Sequence, residues 1–239
     1  MADLPILFSP PMIRSLVREI EQPGTGKTQT RRANGVPVIE RTQSEGWHIH
    51  NRHGGMFTWS EGSVSDIAAE MLRYQRGDRL WVREAWRAAA IHDARPPRDI
   101  PEGFGITWEA GSNSIILSGK LRPSMFMPRW ASRLTLYVTD VRVERLQDIS
   151  EEDARAEGAY VGKASRRVAD DHMTMAVAGI WFSTARAWYA DLWDRINGPG
   201  AWQANPWVAA YTFVPVLGNI TSLPPALADL PSHAEGSQP

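Results

Sequence analysis

The 239 residues carry 26 Lys+Arg against 27 Asp+Glu, a formal net charge of −1, and no Cys. The lack of Cys excludes disulfides, a thiol nucleophile and thiolate metal sites. The charge balance excludes a strongly basic, phosphate-tracking chain but leaves room for a local basic patch. No apolar run approaches the ~20 residues of a membrane span. The first residues, with Asp3, Pro5, Pro10, Pro11 and Glu19, lack a leader pattern. A cytoplasmic protein is the expectation. Trp occurs 11 times. The cations are nearly all Arg: only Lys27, Lys120 and Lys163 are Lys. Arg cannot give up its proton, whereas a desolvated Lys can, so Lys27, in a short motif, is singled out.

In chain order, residues 9–22 predict a short helix. Ser9 stands at its N-cap, Pro10 or Pro11 in its first turn, and Met12, Leu16 and Ile20 on one stripe. Pro23 and Gly24 end it, and GTGKTQTRR turns into a strand. Residues 33–75 show little periodicity and read as an excursion. Arg79–Trp86 alternates as a strand after a turn at residues 75–78. Residues 88–120 form a second excursion, with a hairpin expected around Ala110-Gly111-Ser112-Asn113. Leu134, Leu136, Val138, Val141 and Val143 mark a long strand or strand pair, with a bulge or turn at Thr139-Asp140.

Ser150–Gly158 predicts an acid-led helix with Ser150 and Asp153 near a capping box and Gly158 at the C′ position. Ser183–Ile196 is the strongest helix, with Trp181, Ala185, Trp188, Leu192 and Ile196 on one face. Trp207–Val216 predicts a last strand, and residues 217–239 a disordered tail. Strands do not alternate regularly with helices. A doubly wound parallel sheet is therefore disfavoured, and an α+β domain around a small, mostly antiparallel barrel is expected.

Gly24-Thr25-Gly26-Lys27-Thr28 does not make a P-loop. The pattern needs Gly where Glu21 stands, and a helix, not a strand, precedes it. His48, His50 and His53 suggest a metal site, but no neighbouring acid or Cys completes a set, so no metal is expected. Trp81, Trp86, Trp130 and Trp207 are candidates for a base-stacking wall, with core packing the plainer reading. Arg122, Arg129, Arg133, Arg142 and Arg145 are either an RNA-facing patch or outward strand residues. Glu84 is a rival carboxylate, and Arg83 a candidate ligand for a phosphate or carboxylate.

A helix followed by Gly-Lys-Thr-x-Thr-x-Arg on a strand resembles the signature of ASCH domains, a branch of the PUA-like superfamily. Arg76–Val82 resembles that family's "GD-x-hydrophobic" strand, and Leu134–Leu146 with the Ser150–Gly158 helix its strand-then-acidic-helix unit. MPRWASR, DISEEDARAEG and W-x-x-INGPG-x-W-x-x-NPWV at residues 127–133, 148–158 and 193–208 are similar to phage-encoded members. The resemblance spans most of residues 5–216. It implies one α+β domain over 1–216, a small mixed β-barrel with flanking helices and insertions at about 33–75 and 88–120. Within the superfamily, the chain resembles N4-acetylcytidine amidohydrolases. By that resemblance Lys27 is the proton acceptor, Thr30 the nucleophile and Glu157 the proton donor. No cofactor is implied, and the substrate is a nucleoside. The excursions have no counterpart in those enzymes.

Chemistry adds its own conditions. Amide cleavage needs a nucleophile, a base and an acid for the leaving amine. Thr30 is inert unless a neutral Lys lies within reach. Burial or nearby cations, Arg31 and Arg32 foremost, must lower the Lys27 pKa. Glu157 sits in the last turn of its helix, where the macrodipole disfavours negative charge and raises a carboxyl pKa. Its ordinary alternative is a surface pair with Arg155 or Arg145. Lys27 and Thr30 are three apart and face opposite sides of a regular strand, so Lys27 must lie in the turn or at a bulge. The other readings are an RNA- or modified-base-binding module without chemistry, and an RNA-cleaving enzyme. A monomer or small homo-oligomer with no membrane partner is expected.

Overall fold

The structure is a computed structural model that describes residues 1–41, 47–50, 56–59, 64–103, 105–111, 118–159, 176–177 and 180–229. Strand β1 (Asp3–Leu7) leads into helix α1 (Pro10–Glu21), whose prolines fill the first turn where no helical N–H is needed. The chain returns as β2 (Gln29–Arg32). Strands β3 (Val38–Arg41), β4 (Trp47–His50) and β5 (Met56–Trp59) form a separate antiparallel sheet, followed by α2 (Val64–Glu70) and β6 (Arg79–Arg83). The two-residue strands β7 (Trp86–Arg87) and β8 (Thr107–Trp108) pair with each other. Then come β9 (Leu134–Arg145), α3 (Glu151–Ala156), the short pair β10 (Ala176–Val177) and β11 (Ile180–Trp181), α4 (Ala185–Asn197) and β12 (Trp207–Leu217).

The fold is mixed α+β. Its main sheet runs β1-β6-β9-β12-β2, with β1–β6 parallel and the other pairs antiparallel. In the β9–β12 ladder Thr212 faces Asp140 and Phe213 faces Val138. Thr139 is thus the extra residue of a bulge, at the place expected, and Leu134–Arg145 is one strand, not two.

The expected barrel is not closed by backbone pairing. Edge strands β1 and β2 do not pair with each other among the described residues. One side chain spans them: Arg32 Nη2 donates to Leu7 O at 2.7 Å. The physical reason lies in α1, which follows β1 and packs its buried Ile13 and Leu16 against Ile6, Phe8 and Phe213. Apolar surface that strand closure would have covered is covered by a helix instead.

The first excursion is more regular than its sequence suggests. Ile39 and Ile49 of its small sheet and Val64, Ala68 and Leu72 of the α2 region bury against Val143, Ala209 and Tyr211 of the main sheet. Its strands are four residues each, too short for a period to show. β1 was missed for the same reason. Of the hairpin expected at Ala110-Gly111-Ser112-Asn113, Ser112 and Asn113 lie outside the described residues, which show the β7–β8 pairing and an Ala89–Ser118 bridge. Trp181 lies in β11, before α4 begins.

The expected loose tail is corrected for residues 218–229. Ile220 is fully buried. Arg79 Nη1 holds the carbonyls of Ile220, Leu223 and Pro224, and the Tyr137 hydroxyl donates to Pro224 O at 2.7 Å. Composition did not show that an arginine and a tyrosine of the sheet would bind these carbonyls. Residues 230–239 lie outside the described residues.

Candidate active site

Gly26 sets the path of the motif. A Cβ there would lie 2.3 Å from Ser15 O and 2.4 Å from Glu19 N, so the chain can pass this close to α1 only without a side chain. Lys27 N then donates to Ser15 O at 3.1 Å, Thr28 N to Ala156 O at 2.8 Å, and Phe213 N to Thr28 O at 2.8 Å. Residues 26–28 are thereby fixed between α1, the end of α3 and β12, and Lys27 precedes the regular strand. Lys27 thus lies between the turn and the strand, which frees it from the strand's alternation but does not bring it to Thr30.

Helix α3 is started by Ser150, whose Oγ accepts from Asp153 N at 3.0 Å. Glu157 is its C-cap in helical conformation, and Gly158 reverses the chain at φ 108°. The Lys27 side chain enters here. Nζ lies 2.5 Å from Glu157 Oε2 and 3.0 Å from Glu157 O, so it both pairs with the carboxylate and caps a helix C-terminus. The two side chains are 1% and 3% exposed, which makes the pair an interior one. Glu157 therefore does not form the surface pair with Arg155 or Arg145. Arg155 reaches Glu151 and Glu152 instead.

Around this pair β2 places a charged network. Arg31 Nη1 lies 3.3 Å from Glu157 Oε1, while its other nitrogens bind Glu144 at 2.7–2.8 Å and Asp153 at 2.9 Å. Gln29 Oε1 accepts from Arg31 at 2.5 Å, and its amide donates to Asp153 and Thr212, each at 3.1 Å. The Tyr189 hydroxyl of α4 donates to Glu157 Oε1 at 3.4 Å.

Burial is the largest influence on Lys27 and lowers its pKa from the ordinary 10.5; Arg32 and Arg31 push the same way, and Glu157 opposes them without prevailing. Burial also holds the Tyr189 phenol well above its ordinary range, with the Glu157 charge adding to it. Asp153 is pushed up by burial, but Arg31, Gln29 and Arg142 together bring it below the usual carboxylate value.

A cavity of about 160 Å³ opens beside Glu157, lined in part by Thr30, Arg31, Arg32, Glu157, Tyr189 and Trp193, with Lys27 buried behind Glu157 and outside the lining. Thr30 thus shares a cavity with Glu157. It is buried and sits opposite Tyr211 in the ladder, on the strand face away from Gln29 and Arg31. Its hydroxyl makes no hydrogen bond to Lys27 or to any other described residue. The structure brings Lys27 and Glu157 into direct contact and Thr30 to the same cavity, but not Lys27 to Thr30.

Comparison of the chain with protein-family models, curated proteins and solved structures finds no match.

The remaining sequence candidates are placed elsewhere. Glu84 is buried in a two-pronged pair with Arg133, at 2.9 and 3.0 Å. The arginines expected as a patch have internal partners. Arg122 binds His92 O, Arg129 pairs with Asp3, Arg142 reaches Asp153, and Arg145 binds Asn205 O and lies 4.4 Å over the Trp207 ring. Trp86 is fully buried and Trp81 nearly so, under Arg83. Trp130 packs partly buried against the Trp86 cluster, and Trp207 stands edge-on to Trp47. The core reading holds for Trp81 and Trp86, whereas Trp130 and Trp207 are partly buried. His48 and His50 have ring centres 6.3 Å apart, and His53 lies outside the described residues. Among the described residues no group of three metal-ligating side chains occurs, and no helix is long and apolar enough to cross a membrane.

Sequence reasoning missed Tyr189, Gln29, Glu144 and Asp153 as partners of the site. Only Tyr189 carried a signal: a phenol on the buried stripe of α4, beside Ala185 and Leu192, needs a partner for its hydroxyl.

Proposed function

We propose that this chain is a PUA-like domain of the ASCH type that hydrolyses the N4-acyl group of acylated cytidines, with Lys27 as base, Thr30 as nucleophile and Glu157 as acid. The observation that carries the reading is the buried Lys27–Glu157 contact of 2.5 Å, whose Glu157 lines a cavity together with Thr30. The open, helix-covered main sheet takes the place of the barrel in this reading.

The pair suits acid–base work because one proton transfer arms both members. Moving a proton from Lys27 Nζ to Glu157 Oε2 gives an amine and a carboxylic acid with no change of net charge. The burial that lowers the Lys27 pKa favours that transfer. Thr30 Oγ1 then attacks the acyl carbon while Lys27 takes its proton, and Glu157 gives its proton to N4 as the C–N bond breaks. Cytidine leaves, and the acyl group stays on Thr30. Water attacks this ester, losing a proton to Glu157, and Lys27 returns its proton to the Thr30 oxygen. Acid and base are then both restored. The cycle requires Lys27 Nζ to meet Thr30 Oγ1 directly or through one water, and because Thr30 lies on the strand face away from Arg31, this demands a rearrangement of residues 27–30 when substrate binds.

The test is release of cytidine and carboxylate from N4-acetylcytidine. Lys27→Ala and Thr30→Ala are each expected to abolish turnover in folded protein. Hydrolysis at the parental rate by either variant overturns the assignment.

A further inference from the structure

Arg32 lines the cavity with Thr30 but belongs to a second cluster as well. Its Nη2 binds Leu7 O at 2.7 Å, and its guanidinium lies 5.0 Å over the Phe8 ring. Arg83 is the register partner of Leu7 across β1–β6, and its carbonyl accepts from Phe8 N at 3.2 Å. The Tyr74 hydroxyl donates to Pro5 O on the same strand at 2.7 Å, and Arg73 lies 5.6 Å over the Tyr74 ring. Three arginines thus gather around the C-terminal end of β1.

They differ from the arginines that are paired inside the fold. Arg31, Arg79, Arg129, Arg133 and Arg142 each hold a carboxylate. No carboxylate lies within 4.0 Å of Arg32, Arg73 or Arg83 among the described residues. Arg83 Nε is buried without an acceptor, a donor left open. Like charges held together without a paired carboxylate cost free energy, which a bound anion relieves; of the three, Arg32 feels a carboxylate charge, that of the more distant Glu157. Burial and then the Arg73 charge lower the Arg83 pKa, and all three cations pull the Tyr74 phenol down against the burial that raises it.

We propose that Arg32, Arg73 and Arg83 bind a phosphate group, and that this phosphate is carried by the ligand of the adjoining cavity, so that a cytidine nucleotide or its phosphodiester is preferred to the free nucleoside. Arg32, common to cavity and cluster, is what joins the two. The choice of cytidine rests on the amidohydrolase reading; the phosphate site does not.

Calorimetric titration of the full chain with inorganic phosphate, cytidine, cytidine 5′-monophosphate and a short cytidine oligonucleotide tests this. The nucleotide, the oligonucleotide or both are expected to bind about tenfold or more tightly than cytidine, as for one or two charge-assisted contacts. Arg73→Gln and Arg83→Gln are each expected to remove most of that advantage and leave cytidine binding unchanged. A preference for the monophosphate assigns a phosphomonoester, and a preference for the oligonucleotide a chain phosphate. Equal affinity for cytidine and both phosphorylated ligands, or an advantage untouched by both variants, overturns the inference. Phosphate binding that depends on Arg73 and Arg83 sustains the site even if no acylated cytidine is hydrolysed. Turnover of the free nucleoside without phosphate binding sustains the enzyme and ends the phosphate site.

Discussion

Replacing Glu157 by Gln is the most informative perturbation of the buried pair, because its two members are unequally supported. Glu157 has a second cation, Arg31 at 3.3 Å, and a phenol donor at 3.4 Å. Lys27 has no carboxylate other than Glu157 within ion-pair distance among the described residues. Glu157→Gln therefore strands a fully buried ammonium, whereas Lys27→Met leaves a carboxylate that Arg31 still faces. Breaking a buried pair by removing one partner costs about 3–5 kcal/mol. Glu157→Gln is expected in that range at pH 7, and Lys27→Met below it. The double variant should cost less than the sum of the two singles, since it leaves no orphaned charge.

The pH dependence follows from the direction of the Lys27 shift. A lysine whose folded pKa lies below its unfolded value binds fewer protons when folded, so stability rises with pH across the window between that lowered value and 10.5. Without the Glu157 charge the folded value falls further, and the cost of Glu157→Gln shrinks as pH rises through the window between the variant's folded value and that of the wild type. Urea unfolding of the wild type, both singles and the double, at several pH values and with unchanged m-values, reads this directly. Single variants that each cost under ~1 kcal/mol, or costs that simply add, would refute the reasoning.

Gly26→Ala forces a Cβ onto the backbone of α1 and is expected to cost about 1–3 kcal/mol by thermal or urea unfolding; an unchanged midpoint contradicts the close approach. Arg133→Met leaves Glu84 buried and unpaired, at about 3–5 kcal/mol near neutrality. Burial already raises the Glu84 pKa above 4.5 against the pull of Arg133, so the folded state holds the proton longer. The loss in this variant should accordingly shrink as pH falls toward 4.5. Tyr189 and Tyr211, both raised chiefly by burial, keep their protons when folded, while the unfolded chain gives them up above pH 10. Stability should then fall with rising pH there by up to about 1.4 kcal/mol per unit for each phenol. A flat alkaline limb in the unfolding free energy would contradict this.

What the sequence made legible, and what it hid, follows from range. α1, α3, α4, β9 and β12 were readable because each is bounded by its own signals: prolines at a start, Ser150 as a cap, glycines at an end, and an apolar period that lasts several turns or pleats. The bulge at Thr139 was readable because the apolar alternation of β9 shifts there. Short strands such as β1 and β3 offered too few residues for a period, and their pairing is decided by distant partners. Lys27 stood out by residue choice, and Glu157 by its unfavourable place at a helix end. Their contact, 130 residues apart in sequence, depends on Gly26 letting the chain cross α1. Arg31 is bound to Glu144, Asp153 and Glu157, and no local pattern announces that network. Nor could local pattern show that Arg133 would find Glu84 while Arg83 would find no carboxylate.

The central claim is that Thr30, activated by the Lys27–Glu157 pair, carries the acyl group during turnover. Rapid-quench mass spectrometry of the wild-type chain with N4-acetylcytidine tests it most directly. One acetyl group should appear on the peptide bearing Thr30 within the first turnover, and none in Thr30→Ala. Cytidine released in that turnover with no acetylated peptide at any quench time would contradict it.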